Sequence, residues 1–374
     1  MLDGGMGTLL AERGLLPGEL PERLSVSAPE VITEIHRSYF EAGANIVATN
    51  TFGANLLKYS REELERVIFA AVKCARDAAD GAPDRFVALD VGPLGRMLKP
   101  YGDLDFEDAV GIFKETVRIG ARAGVDLVIV ETMNDSYETK AALLAVKEGC
   151  ELPVFVTNAY GEDGKLVTGA SALAMIAMLE GMGADAIGVN CSLGPRALRP
   201  VIEEYLKYAS LPVIFKPNAG LPREVGGKTV FDVSPSEFAD EVSAMVRSGV
   251  SIIGGCCGTT PEYIKALKSA ISGVTPPMRV EKNDTVASSY THGVIFGESP
   301  VLVGERINPT GKKRFKEALV SRDIGYILNE GLEEERCGAH ILDVNVGLPE
   351  IDEVAMLTRT VTELQAIISL PLGA

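Results

Sequence analysis

Eight short apolar segments alternate with eight longer amphipathic segments between residue 1 and about residue 273. The apolar segments have the length of buried strands, and the amphipathic segments have the periodicity of helices. The predicted strands are residues 1–3, 45–50, 86–91, 126–132, 154–158, 186–191, 213–216 and 251–256. Eight strand–helix units in this length are typical of a (β/α)8 barrel, the TIM barrel of the α/β class. A doubly wound open sheet is the alternative, but we find no glycine-rich dinucleotide turn with a following acidic partner.

A second series of strands and helices begins after residue 299. Residues 274–299 contain Pro276-Pro277 and a polar stretch without periodicity, which predicts a linker. Residues 300–374 are predicted to form strand, helix, strand, helix and the start of a third strand. We therefore expect one domain at 1–273 and the beginning of a second (β/α)8 barrel at 300–374. This incomplete second barrel leads us to expect that the chain is a fragment of a longer protein.

The composition narrows the classes of partner. A net charge of −16 argues against nucleic acid and anionic membrane, because both require a basic surface. No apolar segment approaches the ~20 residues of a transmembrane helix, and no signal peptide is visible. Six cysteines in 374 residues are too few for a disulfide scaffold, which favours reduced thiols and a cytoplasmic enzyme.

Three cysteines stand at the ends of two predicted strands. Cys191 ends the sixth strand, and the pair Cys256-Cys257 follows the eighth between glycines, which allow close approach of backbone and ligand. Three thiolates would hold one zinc ion and leave its fourth position open, as in a catalytic site. Three buried, inert cysteines are the alternative, although packing alone poorly explains a vicinal pair flanked by glycines.

Polar residues end seven of the eight predicted strands, at the edge where the active sites of such barrels lie. These groups are Asp3-Gly4-Gly5, Thr49-Asn50-Thr51, Glu131-Thr132, Asn158, Asn190-Cys191, Lys216-Pro217-Asn218 and Cys256-Cys257. An ordinary turn residue is the alternative for Asp3, and an ordinary ion pair is the alternative for Glu131 and Lys216. Together the seven groups predict a site for a small polar molecule or a metal.

The motifs Asp3-Gly4-Gly5-Met6-Gly7-Thr8, Asn190-Cys191 and Gly254-Gly255-Cys256-Cys257-Gly258 together resemble those of the homocysteine-binding zinc methyltransferase family. This resemblance covers residue 1 to about residue 273. It implies a TIM barrel in which the three cysteines bind Zn²⁺ and the sulfur of homocysteine takes the open position.

The same resemblance implies roles for residues that contact the amino-acid end of homocysteine. Asp3 and Glu131 are expected to bind the ammonium group. Backbone amides near Gly4 and Gly5, and the turn at Thr51, are candidates for the carboxylate. From its position between the two cysteine strands, Asn218 is a candidate zinc ligand that homocysteine displaces.

Residues 304–311 and 342–345 resemble the opening of a pterin-binding barrel related to dihydropteroate synthases, with Asn308, Asp343 and Asn345 as candidate pterin ligands. A homocysteine barrel followed by a folate barrel resembles the N-terminal half of the cobalamin-dependent methionine synthase family. That resemblance implies methylcobalamin, held by a cobalamin-binding domain or protein outside this chain, as the methyl carrier. It also implies 5-methyltetrahydrofolate as the methyl donor and tetrahydrofolate as a product. The alternatives are a cobalamin-independent enzyme using betaine or S-methylmethionine, and a non-catalytic module that binds thiols or metal.

Overall fold

The computed structural model describes residues 1–16, 18–225, 228–297 and 299–374, so Glu298 of the predicted linker lies outside the described residues. The chain divides into two compact units. Unit 1 comprises Met1–Thr168 and Met178–Lys282, and unit 2 comprises Gly169–Ala177 and Asn283–Ala374. Each unit has its own sheet and is described separately below.

Unit 1 contains a curled, seven-stranded parallel sheet. Neighbouring strands in this sheet follow one another in the chain, and they are β1 (Ile46–Ala48), β2 (Phe86–Val91), β3 (Leu127–Met133), β4 (Val154–Asn158), β5 (Ala186–Asn190), β6 (Val213–Lys216) and β9 (Ile252–Ile253). Between β6 and β9 the chain forms a separate antiparallel hairpin of β7 (Pro222–Val225) and β8 (Lys228–Phe231). Leu2 forms a parallel bridge with Ile46, and its amide donates to the Ile253 carbonyl at 2.8 Å. Hydrogen bonding therefore runs from one edge strand through Leu2 to the other, which is consistent with a TIM-type barrel.

Helices connect the successive strands, and their ends follow ordinary capping chemistry. Ser60 and Ser234 each accept a hydrogen bond from the amide three residues on, and helices end at Gly43, Gly124 and Gly249. The helices are α1 (Met6–Glu12), α2 (Leu24–Ser27), α3 (Pro29–Ala42), α4 (Arg61–Ala79), α5 (Phe106–Ala123), α6 (Ser136–Gly149), α7 (Ala172–Gly181), α8 (Pro195–Tyr208), α9 (Pro235–Ser248) and α10 (Pro261–Ala270), with a 3₁₀ turn at Pro21–Arg23.

The inside of the curled sheet is apolar over most of its depth. Residues from different strands pack together there, and the buried members of this cluster are Leu2, Ala88, Leu127, Ile129, Ala186 and Ile214. Because side chains alternate between the two faces of a strand, the next inward positions are two residues further along each strand. Those positions lie at the carboxyl ends of the strands, where the polar residues occur.

Unit 2 contains a three-stranded parallel sheet and an antiparallel hairpin. The elements are β10 (Thr285–Ser288), β11 (Gly293–Phe296), β12 (Val303–Ile307), α11 (Lys313–Ser321), α12 (Ile324–Arg336), β13 (Ile341–Val344), α13 (Glu353–Gln365) and β14 (Leu372–Gly373). In the parallel sheet, β13 lies between β12 and β14. The α/β class and the curled parallel sheet are confirmed, whereas a second barrel is not shown.

Several elements differ from the sequence prediction. Helix α1 and the hairpin β7–β8 were not expected, and the hairpin β10–β11 lies within the stretch predicted as a linker. The single helix expected between the first two strands of residues 300–374 is in fact two helices, because Arg322 adopts a left-handed conformation with φ of 56° and ends α11. In the part of the chain that the structure describes, no helix has both the length and the apolar character needed to cross a bilayer.

Candidate functional site

The three predicted cysteine ligands converge at the carboxyl end of the sheet in unit 1. The sulfur atoms of Cys191, Cys256 and Cys257 all lie within 4.8 Å of one another, and the Cys191 and Cys257 sulfurs are 3.8 Å apart. Cys257 is exposed and the other two are half-buried, so the cluster is open to an incoming ligand. Cys191 comes directly after the end of β5, and Cys256 and Cys257 lie in the loop after β9.

The spacing of these sulfurs fits a tetrahedral zinc site. Zinc–sulfur bonds of about 2.3 Å at the tetrahedral angle place two sulfurs about 3.8 Å apart. Hydrogen bonds from the Cys256 thiol and, as the second contribution, from the Cys257 thiol lower the pKa of Cys191 to about 3. The same interaction with Cys191 raises the pKa of Cys256 well above its ordinary value. Soft thiolate ligands suit a soft divalent metal, and the three residues lie close enough together to hold one.

Backbone turns aim the cysteines. Cys191 and Ser192 have φ of 60° and 57°, a left-handed conformation that is costly for residues other than glycine. The Ser192 hydroxyl donates to the Tyr160 carbonyl at 2.7 Å, and the Cys191 amide donates to the Lys216 carbonyl at 3.1 Å. These contacts hold a strained turn at the end of β5, next to the Cys191 thiol.

Glycines allow the first loop of the chain to pack directly on the Cys256-Cys257 loop. A Cβ atom on Gly4 would lie 2.7 Å from the Thr259 hydroxyl, and one on Gly5 would lie 2.8 Å from the Cys256 carbonyl. The Gly5 amide donates to the Thr259 carbonyl at 3.1 Å. Gly4 and Gly5 are therefore close-approach positions beside the cysteines, and their role in binding a carboxylate stays a prediction.

A buried ion cluster lies at the same end of the sheet. The Lys216 ammonium is 2.6 Å from the Glu131 carboxylate and 3.9 Å from that of Asp3, whose other oxygen accepts from the Ala48 amide at 2.8 Å. Burial raises the pKa of Asp3 to about 7, although Lys216 opposes the shift. Burial lowers the pKa of Lys216, but Glu131 and Asp3 outweigh it, so that the net shift is upward. The two carboxylates predicted to bind an ammonium group are thus already held by a lysine ammonium.

Two asparagines brace the cysteine loops. Asn190 accepts hydrogen bonds from the Thr132 amide and the Thr157 hydroxyl, both at 2.8 Å, and its own amide group lies 3.8 Å from the Cys256 sulfur. The side-chain oxygen of Asn218 accepts from the Cys257 amide at 3.0 Å. Asn218 therefore stands beside the sulfur cluster, and its role as a zinc ligand stays a prediction.

Hydrogen bonds between Thr51, Thr49 and Asp90 join the ends of β1 and β2. Asp90 was not among the predicted site residues. The Thr51 hydroxyl donates to the Asp90 carbonyl at 2.7 Å, and the Asp90 amide donates to the Thr49 hydroxyl at 3.1 Å. Asp90 is only 8% exposed, and its Oδ1 atom has no hydrogen-bond partner among the described residues. Burial, followed by the nearby Glu131, raises the pKa of Asp90 well above its ordinary value. The signal in the sequence was a single acidic residue near the end of an otherwise apolar strand.

The predicted pterin residues lie at one edge of the sheet in unit 2. Asn308 follows β12 and Asn345 follows the adjacent strand β13. Their side-chain oxygens accept from the amides of Thr310 and Gly347 at 2.9 and 2.8 Å, which are local turn interactions. Asp343 is half-buried near the end of β13. A pterin-binding role for these three residues stays a prediction.

Comparisons with known proteins agree with this geometry. A sequence model described as homocysteine S-methyltransferase matches residues 1–271. Methionine synthases of Mycobacterium tuberculosis and Mycobacterium leprae are 33% and 32% identical to the chain, over alignments of 392 and 398 residues. Each alignment covers 99% of this chain and 33% of the relative. The chain therefore spans about a third of the length of these relatives.

Solved structures of the homocysteine methyltransferase MmuM from Escherichia coli have the same fold. The oxidized form is 25% identical with a TM-score of 0.61, and the metallated form is 24% identical with a TM-score of 0.62. Both cover 72% of this chain and 94% of the solved chain. A family match over residues 1–271, a shared fold and three convergent cysteines lead to one conclusion: the chain belongs to the homocysteine S-methyltransferase family.

Proposed function

We propose that this chain binds Zn²⁺ through Cys191, Cys256 and Cys257 and transfers a methyl group to the sulfur of homocysteine, giving methionine. The observation that carries the proposal is the convergence of the three sulfur atoms within 4.8 Å at the carboxyl end of the sheet. Zinc bound there supplies the Lewis acidity that keeps a substrate thiol deprotonated at neutral pH. The proposal includes a cytoplasmic location, because the three thiols must remain reduced.

The residues around the metal site are suited to bind and orient the substrate. Three cysteinate ligands leave a formal charge of −1 on the metal site, which favours an electron-rich sulfur over the activation of water. The buried carboxylates of Asp3 and Glu131 lie at the same end of the sheet and are suited to an ammonium group. The backbone amides near Gly4, Gly5 and Thr51 are our candidates for the substrate carboxylate.

We propose methylcobalamin as the immediate methyl donor, carried by a domain or protein outside this chain. The similarity to methionine synthases over 99% of the chain supports this donor, because it extends beyond the part that the family model matches. We further propose that 5-methyltetrahydrofolate is the ultimate source of the methyl group. Asn308, Asp343 and Asn345 in unit 2 are then the candidate residues for its pterin ring, and tetrahydrofolate is the product released.

Methionine formation tests the function directly. Zinc-loaded protein is mixed with homocysteine and either methylcobalamin, betaine or S-methylmethionine, and methionine is measured by mass spectrometry. We expect methionine only with methylcobalamin, together with the absorbance of Co(I) cobalamin. Methionine from betaine or S-methylmethionine would instead identify a cobalamin-independent enzyme. Binding of zinc and homocysteine without any methionine would identify a non-catalytic module.

X-ray absorption at the zinc edge tests the metal centre separately from turnover. We expect three sulfur scatterers without homocysteine and four with it. We propose that Asn218 supplies the remaining ligand without homocysteine, so Asn218→Ala should remove one oxygen or nitrogen scatterer from that spectrum. A sulfur count that does not change on addition of homocysteine contradicts the proposed coordination.

A further inference from the structure

Five inward-facing residues form a polar layer above the apolar inside of unit 1. Ala88, Ile129 and Ile214 face the interior cluster, and side chains alternate along a strand, so the residues two positions on share that face. Strand pairing places Asp90 opposite Ile129 on the neighbouring strand, two residues before Glu131. By the same alternation, the layer consists of Asp90, Glu131, Thr157, Asn190 and Lys216.

Most polar atoms of this layer already have partners. Thr157 donates to Asn190, and Lys216 binds Glu131. Within this layer and the adjoining chain start, the buried oxygens without a hydrogen-bond partner in the part of the chain that the structure describes are Oδ1 of Asp90 and Oδ1 of Asp3. The Asp3 atom still faces the Lys216 ammonium at 3.9 Å, whereas no ion pair to Asp90 occurs among the described residues. A buried acceptor without a partner is costly, which makes Asp90 the outstanding residue of the layer.

The charge of the cluster favours one more cation. Asp3, Asp90 and Glu131 are three carboxyl groups, and Lys216 is the ammonium group that lies among them. When all are ionised, two negative charges remain uncompensated in a buried environment. An ammonium group has three N–H donors and no acceptor, so it can satisfy one oxygen from each of three carboxylates.

We propose that Asp90 is a substrate-binding residue that accepts the third hydrogen bond from the ammonium group of homocysteine, beside Asp3 and Glu131. This inference rests on the proposed function, since it takes homocysteine as the ligand. Asp90 then sets specificity for an α-amino thiol over a simple thiol. It acts on the end of the substrate remote from the sulfur, so the metal site is unaffected by its replacement.

A pair of ligands separates this role from a structural one. Homocysteine and 4-mercaptobutanoate differ only in the amino group, and both can offer a thiol to zinc. Their Kd values are measured by calorimetry on zinc-loaded wild-type, Asp90→Asn and Asp90→Leu proteins. Asn removes the charge and Leu removes both the charge and the acceptor at similar volume. Glu138→Gln is the matched control, because Glu138 is also a buried carboxylate but lies on α6 outside the layer.

We expect Asp90→Asn to weaken homocysteine binding at least about tenfold, and Asp90→Leu to weaken it further, since charge-assisted hydrogen bonds are strong. Binding of 4-mercaptobutanoate and zinc content should not change, and Glu138→Gln should resemble wild type. Equal losses for both ligands, or no loss for either, overturn the role of Asp90. If wild-type protein binds zinc but neither thiol, the proposed function itself has failed. Should Asp90→Leu not fold, Asp90→Asn alone carries the comparison.

Discussion

At the scale of single residues, unit 1 concentrates unfavourable features at one end of its sheet. Thr132, Cys191 and Ser192 have left-handed backbones, and a lysine is buried among carboxylates close to three thiols. Each feature costs stability and persists because neighbouring hydrogen bonds hold it. Such a concentration is typical of a site organised for binding or catalysis, since none of these features improves packing.

Replacing Cys191 by serine should remove the metal and leave the fold. The three thiols lie at the end of the sheet, outside the apolar interior formed by residues such as Ala88 and Ile129. We expect zinc content to fall to near zero, with a change in unfolding free energy of at most about 1 kcal/mol in the metal-free protein. Cys337→Ser, at an exposed position of unit 2, is the control and should keep its zinc. A loss of helical circular dichroism in Cys191→Ser would instead indicate a structural metal.

Glu138 should make the stability of unit 1 depend on pH. Burial raises its pKa from 4.5 to about 7, although a hydrogen bond from the Leu94 amide opposes the shift. The folded state therefore binds the proton more tightly than the unfolded state, and stability falls as the pH rises from 4.5 to 7.

Glu138→Gln mimics the protonated carboxyl group. It should therefore remove the part of the pH-dependent fall in unfolding free energy that comes from Glu138, which reaches roughly 3 kcal/mol above pH 7. Urea unfolding of both proteins at several pH values measures the difference. Glu148→Gln, on an exposed position of the same helix, should follow the wild-type curve. Parallel curves for wild type and Glu138→Gln would contradict the argument.

At the scale of elements, the periodicity of the sequence predicts the strands of the seven-stranded sheet of unit 1 and the end of that sheet at which the candidate site lies. Parallel strands have a period of two and end together, so Cys191 and the Cys256-Cys257 pair can be placed at one edge without coordinates. Loop geometry cannot be predicted from periodicity in this way. The hairpin β7–β8 has strands of only four residues each, and the left-handed turn at Cys191 and Ser192 depends on contacts with distant residues such as Tyr160.

The capping box at the start of α9 offers a test at this scale. The Ser234 hydroxyl accepts from the Glu237 amide, and the Glu237 carboxylate accepts from the Ser234 amide at 3.0 Å. We expect Ser234→Ala to lower the unfolding free energy by about 1 kcal/mol, because an amide at the helix start loses its acceptor. Ser248→Ala at the other end of α9 is the control, with an expected change within about 0.5 kcal/mol. Equal effects of the two substitutions would show that the cap contributes nothing of its own.

At the scale of the whole molecule, the sequence predicts which residues form the candidate site better than it predicts how their buried charges balance one another. The sequence predicts Cys191, Asp3 and Glu131 as site residues, since each stands at the end of a predicted strand. It does not identify Asp90 as a neighbour of Lys216 and Glu131, because that proximity depends on strands β2, β3 and β6 facing a common interior. The balance of charges inside a curled sheet depends on residues that meet only when the sheet curls. A local sequence pattern therefore does not predict it.

The two units should unfold separately, and only one should respond to substrate. Unit 1 has its interior cluster around Ile129, and unit 2 has its own core around Leu342 and Phe315. We expect each core to give its own calorimetric transition. Homocysteine at about 100 times its Kd should stabilise zinc-loaded unit 1 by roughly 2.7 kcal/mol. For a unit of this size that corresponds to a rise in Tm of roughly 5–10 °C, while the transition of unit 2 stays in place.

Protein stripped of zinc is the control and should show no shift in Tm with homocysteine. A single transition that moves as a whole would contradict the prediction, because it would show that the two cores unfold together.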